Sequence, residues 1–255
     1  MKKPQIGLVI PIVQRKYIFK LIKQIIQTTH NNDCVICVVN DGNNKIINYL
    51  KKQLPKEVEL LNLERNLCFA GANNAGWEFL LTKYPLIKYL GTINDDTTPQ
   101  KNWLDALVST MENNSKVAAC SPVMVTHSNN LFNKKVQYSS TWKLGDSMHP
   151  MIIDEERITN DTRVSVLGGF CLLAKAEALL HIDYFDERYK NSCEDIDLCL
   201  KLRTSNWDLM VCSNSYVGHK CGKSRFKSKM NTNVPLSRKL LFSKWGNDLN
   251  KYNLK

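Results

Sequence analysis

"YLGTINDDTTP", residues 89–99, runs from an apolar stretch straight into Asn94, Asp95 and Asp96, then two threonines and Pro99. Adjacent carboxylates repel each other, and a segment built for burial is an unfavourable place for charge. Two readings are open. Asp95 and Asp96 end a strand in an ordinary turn and cap the next helix, or a cation is held there. The choice depends on the fold, because open parallel sheets collect ligands beyond the carboxyl ends of their strands.

Working outward from 89–99, the chain alternates. Residues 6–13 (IGLVIPIV) read as a buried strand, and 17–29 carry Ile18, Leu21, Ile22, Ile25 and Ile26 at helical spacing. Residues 34–42 (CVICVVNDG) form a second buried strand, 45–54 a helix stopped by Pro55, and 58–64 a third strand. A helix is expected over 70–84, a fourth strand over 86–95, a helix over 102–113 and a fifth strand over 116–125. Strands alternating with helices imply an α/β fold with a parallel sheet covered on both faces. Asp41 and the 94–96 cluster then both lie at strand ends. The rhythm breaks over 126–163, which is polar and irregular, and such a long loop is usually functional. It resumes with a strand over 164–175 containing Gly168 and Gly169, a short helix over 194–206, and a strand over 207–219.

The totals narrow the class. At 255 residues one large domain, with or without a tail, is expected. No apolar run approaches the ~18–20 residues of a membrane-spanning helix, and the first residues do not read as a secretory signal. The nine cysteines show no zinc-site spacing. Cys34 and Cys37 lie three apart in a strand and so face opposite sides; the thiols read as reduced, in a cytoplasmic protein. Of the net charge of +11, residues 220–255 contribute nine, with ten Lys or Arg against Asp248 alone. A basic tail suits phosphate-bearing partners: a nucleotide, nucleic acid or an anionic membrane surface. Leu236, Leu240, Leu241 and Trp245 have the spacing of an amphipathic, membrane-peripheral helix, or of one packed on the body. Nucleic acid is not expected, because the tail lacks an aromatic stacking platform.

Four clusters can carry chemistry: VVNDG (38–42), INDDTTP (93–99), CEDIDLCLKL (193–202) and GHKCGKS (218–224). Each also has a plain structural reading as turn, cap, helix start or core histidine. Together they resemble inverting family 2 glycosyltransferases of the rhamnosyltransferase-like kind. The likeness spans residues 5–224 and rests on motifs in family order: Pro11, VVNDGN, ERNLCFAGANNAG (64–76), INDDT, GGFCLLAK (168–175), the segment 182–209 and VGHKCGKS (217–224), with an echo at SKWG (243–246).

The resemblance implies a GT-A fold: a Rossmann-like, mostly parallel central sheet flanked by helices, a small extra antiparallel sheet and a basic C-terminal helical tail. Residues 1–125 would form a nucleotide-binding half, 126–224 an acceptor and catalytic half, and 225–255 the tail. It also implies roles. Asp41 would bind the nucleobase. Pro11, Asn66, Asn74, Asn94, Asp95, Gly169 and Lys223 would line the nucleotide-sugar site. Asp96 and His219 would hold Mn2+ or Mg2+. Asp195 would be the general base, with Glu194 beside it. The donor would be a nucleoside-diphosphate sugar and the acceptor a glycan or lipid-linked hydroxyl. Two departures stand out: Cys68 replaces a frequent glycine, and Ile12, Val13, Gln14 and Arg15 replace the usual Thr-Tyr-Asn after the proline. The rival readings are a basic nucleic-acid-binding protein, a nucleotidyltransferase and an inactive nucleotide-sugar-binding scaffold.

Overall fold

The structure, a computed structural model of the chain, describes residues 4–29, 33–126, 142–144, 150–152, 158–220 and 234–246. Its first half follows the expected alternation: β1 (Ile6–Ile12), α1 (Ile18–Thr28), β2 (Cys34–Asp41), α2 (Ile47–Gln53), β3 (Val58–Leu63), α3 (Cys68–Lys83) and β4 (Tyr89–Ile93). There follow β5 (Thr97–Pro99), α4 (Trp103–Glu112), β6 (Val117–Thr126), β7 (Trp142–Leu144), β8 (Pro150–Ile152) and β9 (Thr162–Arg163). The chain continues through β10 (Cys171–Lys175), α5 (Ala176–His181), α6 (Glu194–Thr204), β11 (Asp208–His219) and α7 (Val234–Trp245).

The main sheet runs β3-β2-β1-β4-β10-β6-β11-β5, with β9 paired to β11. Strands β3, β2, β1 and β4 are parallel neighbours. Strand β10 inserts antiparallel between β4 and β6. A separate antiparallel pair, β7 with β8, matches the expected small sheet. Strand residues alternate between two cores with period two. Leu8, Ile10, Ile36 and Val38 meet α1 and α4 through Ile18, Leu21, Trp103 and Leu104. Val9, Val35, Cys37 and Val39 meet α3, α6 and α7 on the opposite face through Trp77, Leu80, Leu198 and Leu241. Cys34 packs against the first core and Cys37 sits in the second, as a strand CxxC requires, and both thiols are free.

The structure departs from expectation at several elements. The strand expected over 164–175 forms only from Cys171, because Gly168 and Gly169 turn the chain beneath α6. Residues Thr97–Pro99, expected to be turn or cap, form a short strand against Val217–His219. Helix α3 starts two residues early, at Cys68, whose φ of +64° lies in the left-handed region. That backbone favours glycine, so the departure at Cys68 is one of residue type and not of loop shape. Among the described tail residues, α7 is docked on the body. Leu241 is fully buried and Trp245 is packed against the core, so Leu236, Leu240, Leu241 and Trp245 do not share one exposed face.

Candidate active site

The sheet order places β2 and β3 on one side of β1 and β4 on the other, a topological switch point. Strands β1 and β4 pair only as far as Val9 and Thr92. Beyond them Pro11, still paired to Val39, and Asn94, just past the end of β4, flank the point where such sheets open a crevice. Proline lacks the N–H that a second neighbour would need, which suits the point where β1 has lost β4.

On the β2 side, Asp41 ends the strand, is buried, and accepts the Leu67 N–H through Oδ1 at 2.6 Å. Asn66 donates to the Asp41 carbonyl at 3.3 Å and accepts the Cys68 N–H at 3.1 Å. Asp41 and Asn66 together hold the start of α3 against the strand end. Gly42 permits the turn: its φ is +74°, and a Cβ there would meet the Asn66 nitrogen at 2.3 Å. Burial pushes the Asp41 carboxyl up to about 6, against the pull of the Leu67 and Cys68 backbone N–H groups. Asn74, expected to line the nucleotide pocket, instead ties α3 to the loop before α6. It donates to the Phe185 carbonyl and to Glu187, both at 3.0 Å, and accepts the Phe185 N–H at 3.1 Å.

The adjacent carboxylates of 93–97 are explained by a four-residue turn. The Asn94 carbonyl accepts both the Thr97 N–H at 3.3 Å and the Thr97 hydroxyl at 2.7 Å. Asp95 and Asp96 occupy the two central positions, where acidic residues are common. Strand β5 then pairs with β11 so that Thr97 lies opposite His219. His219 Nε2 comes within 3.2 Å of the buried Asp96 carboxylate and 3.5 Å of the Asn94 amide. The imidazole stacks on Phe170, with centroids 5.2 Å apart and rings inclined by 17°.

Phe170 joins this group to the catalytic candidate. Its carbonyl accepts the Asn94 N–H at 2.8 Å, while the neighbouring Gly169 N–H donates to Asp195 Oδ2 at 2.9 Å. A Cβ on Gly169 would lie 3.3 Å from the Asp195 Cβ, so a larger residue there would require the Asp195 side chain to give by a few tenths of an ångström. Asp195 and the buried Glu194 open α6, where acidic groups suit the positive end of the helix dipole. The helix is preceded by Cys193 at φ +70° and Asn191 at +57°. Asn191 Oδ1 accepts the Phe69 N–H at 2.9 Å, which ties the start of α3 to the loop entering α6.

Asn94, Asp96, His219, Gly169 and Asp195 are therefore linked through Gly169 and Phe170, while Asp41 and Asn66 are tied to the start of α3, whose Phe69 N–H is held by Asn191 of the loop entering α6. Lys223, and Ser224 with it, lie outside the described residues. Phe170 and Asn191 were not singled out from the sequence. Their only signal was position, one after the Gly-Gly pair and one just before the acidic helix start. A cation fits at Asp96: a buried carboxylate and an imidazole nitrogen face each other, a donor pair suited to Mn2+ and less to the oxygen-seeking Mg2+. Among the described residues no three His, Cys, Asp or Glu side chains form a complete metal cage. Such a site leaves coordination positions to a bound phosphate.

Comparison with known proteins gives the same direction. Among curated protein sequences none matches the chain. The fold is similar to that of GalNAc-T7, solved with UDP, GalNAc and Mn2+, with a TM-score of 0.74 and 15% identity over 97% of this chain and 49% of that one. It is also similar to the mannosyltransferase PcManGT from Pyrobaculum calidifontis in complex with GDP-Man and Mn2+ (TM-score 0.59, 13% identity, 87% of this chain and 58% of that one). A third is S. aureus TarS 1-349 in complex with UDP-GlcNAc (TM-score 0.62, 15% identity, 88% and 61%). The chain thus spans about half to three-fifths of the length of these structures. The sequence model described as "Glycosyl transferase family 2" matches residues 8–180, well over half of the sequence. The chain belongs to glycosyl transferase family 2.

Proposed function

We propose that this protein transfers a sugar from a nucleoside-diphosphate donor to an acceptor hydroxyl, with inversion at the anomeric carbon and Asp195 as general base. One observation carries the reading. Two adjacent residues, Gly169 and Phe170, contact Asp195 on one side and the His219–Asp96 pair on the other. A proton acceptor and a cation-holding carboxylate thus border one crevice at the sheet's switch point.

In this reading Asp41 and Asn66 form the nucleobase end and Asn94 faces the ribose. Asp96 and His219 would hold a divalent cation, which when bound neutralises charge on the leaving diphosphate. The Asp195 carboxylate, oriented by the Gly169 N–H, takes the acceptor proton as the hydroxyl attacks from the face opposite the diphosphate. The backbone N–H groups of Gly169 and Ile196, the latter 2.9 Å from Oδ1, fix its direction. The acceptor is a glycan or lipid-linked hydroxyl. For lipid-linked acceptors a membrane-peripheral site of action follows; no helix among the described residues is long and apolar enough to cross a membrane.

A panel of nucleotide sugars, each with and without Mn2+, tests the reading by slow donor hydrolysis and by thermal stabilisation. It is upheld if one donor class is hydrolysed and stabilises the protein only with the metal. It fails if every nucleotide sugar leaves the melting temperature unchanged in both conditions.

A further inference from the structure

Helix α7 grips the element that presents Asp195. The grip centres on Asp197, which is fully buried. Lys244 Nζ lies 2.8 Å from Asp197 Oδ1, Trp245 Nε1 donates to the same oxygen at 2.7 Å, and the Tyr189 hydroxyl donates to it at 3.1 Å. Lys244 also reaches Asp186 Oδ2 at 3.1 Å. About two turns earlier on α7, the Ser237 hydroxyl accepts the Lys190 N–H at 3.4 Å. Leu241, fully buried, packs in the core that contains Leu198 and Leu202 of α6. Helix α7 therefore holds both the loop entering α6 and the first turn of α6 itself.

The geometry of that turn gives the contact a consequence. Residues two apart on an α-helix are rotated by about 200° around its axis. Asp195 and Asp197 thus leave opposite sides of the same turn. One reaches Gly169 at the crevice, and the other is held from behind by Lys244 and Trp245. A carboxylate buried this completely is tolerated only with its partners in place. Loosening at Lys244 leaves this buried charge, among the described residues, with only the neutral Trp245 and Tyr189 donors in direct contact, which favours a shift of the first turn of α6 that lets water reach it.

We infer that α7 is a clamp that sets the direction of the Asp195 carboxylate, with Lys244 and Trp245 as positioning residues acting through Asp197. The inference rests on the reading of Asp195 as the base, but the clamp itself is a structural claim and can be tested apart from it. A base misplaced by about 1 Å can lower turnover around 10²-fold without weakening donor binding.

The experiment uses the full chain with Mn2+ and compares wild type with Lys244→Met, Lys244→Arg and Trp245→Phe. Amide hydrogen exchange is followed at Gly169 and across 194–197. Binding of UDP and of GDP is measured by calorimetry, and turnover with the donor chosen by the panel. The expected result for Lys244→Met is exchange at Gly169 at least tenfold faster, turnover reduced 10- to 100-fold and nucleotide affinity within twofold. Lys244→Arg should restore most of the turnover. Trp245→Phe should fall between wild type and Lys244→Met in both readouts. If Lys244→Met does not fold, Asp197→Asn/Lys244→Met replaces it: both charges are removed, the Trp245 bond is retained, and the same changes in milder form are expected. Unchanged exchange at Gly169 in a folded variant overturns the clamp, as does wild-type turnover. Faster exchange in a protein that transfers no sugar upholds the clamp and overturns the transferase reading.

Discussion

Replacing Asp195 by asparagine removes a base while leaving its shape. The carboxylate accepts two backbone N–H groups, from Gly169 to Oδ2 and Ile196 to Oδ1, each at 2.9 Å. An asparagine has one oxygen and one NH2, so only one of these donors keeps an acceptor. The other then faces a second donor. Losing a hydrogen bond to a charged group costs about 1.5–3 kcal/mol locally. Losing the negative charge at the start of α6 costs a further ~0.3–1 kcal/mol. For a chain of this size each kcal/mol moves the melting temperature by about 2–4 °C, so Asp195→Asn should remain folded at room temperature. Its catalytic effect should be far larger. A positioned base contributes about 10²–10⁴-fold, equivalent to about 3–5 kcal/mol of barrier. Steady-state kinetics on a donor and acceptor pair should therefore show kcat down by at least 10²-fold with donor KM within threefold. A folded variant that retains kcat within fivefold of wild type would refute the assignment of the base.

Other substitutions probe separate parts of the site. Asp96→Ala should abolish the Mn2+ dependence of nucleotide binding, seen in calorimetry as equal affinity with Mn2+ and with EDTA, whereas Asp195→Asn should keep that dependence. Asp41 should make nucleotide binding pH-sensitive: burial pushes its carboxyl up to about 6, so affinity should weaken about fivefold from pH 6 to pH 5 as the acceptor is lost, with a flat profile in Asp41→Asn. Its effect on folding has the opposite sign. The folded value lies above the ordinary 3.8, so its stabilising contribution is complete below that pH and is lost as pH rises through about 6. Urea titrations of wild type minus Asp41→Asn should show this difference. At Cys68 the positive φ costs an L-residue about 1–2 kcal/mol, so Cys68→Gly should lie within about 1 kcal/mol of wild type once the flexibility of glycine in the unfolded chain is included. Cys68→Val, β-branched, should lose at least about 2 kcal/mol in the same titration.

Much of the fold is written in local patterns. The alternation of Leu8, Val9 and Ile10 between two cores, and the helical spacing of Ile18, Leu21, Ile22 and Ile25, are short-range signals that burial simply realises. Acid clusters at strand ends were legible for the same reason, since Asp41 and the 94–96 turn each follow an apolar run. What escaped depends on distant partners. Strand β5 is three residues long, contains a proline, and exists only because β11 comes alongside it. The glycines at 168 and 169 looked like a kink in a strand. Gly169 in fact passes close beneath Asp195, 26 positions later, and donates its N–H to that carboxylate. Asn74 resembled a pocket residue by motif, but its carboxamide is taken by Phe185 and Glu187, more than a hundred positions away. The basic tail read as charge for phosphate-bearing partners, yet Lys244 is committed to a carboxylate in α6. Pairing across such separations leaves no periodicity to read.

The central claim is that Asp96 and Asp195 face one bound donor across a shared crevice. A crystal structure of the chain with a nucleoside diphosphate and Mn2+, with the metal located by its anomalous signal, tests it most directly. The ion should lie on Asp96 and the diphosphate, the base should lie near Asp41, and the terminal phosphate should point into the space before Asp195. A metal and nucleotide bound away from the end of β4, with the crevice between Pro11 and Asn94 empty, would contradict it.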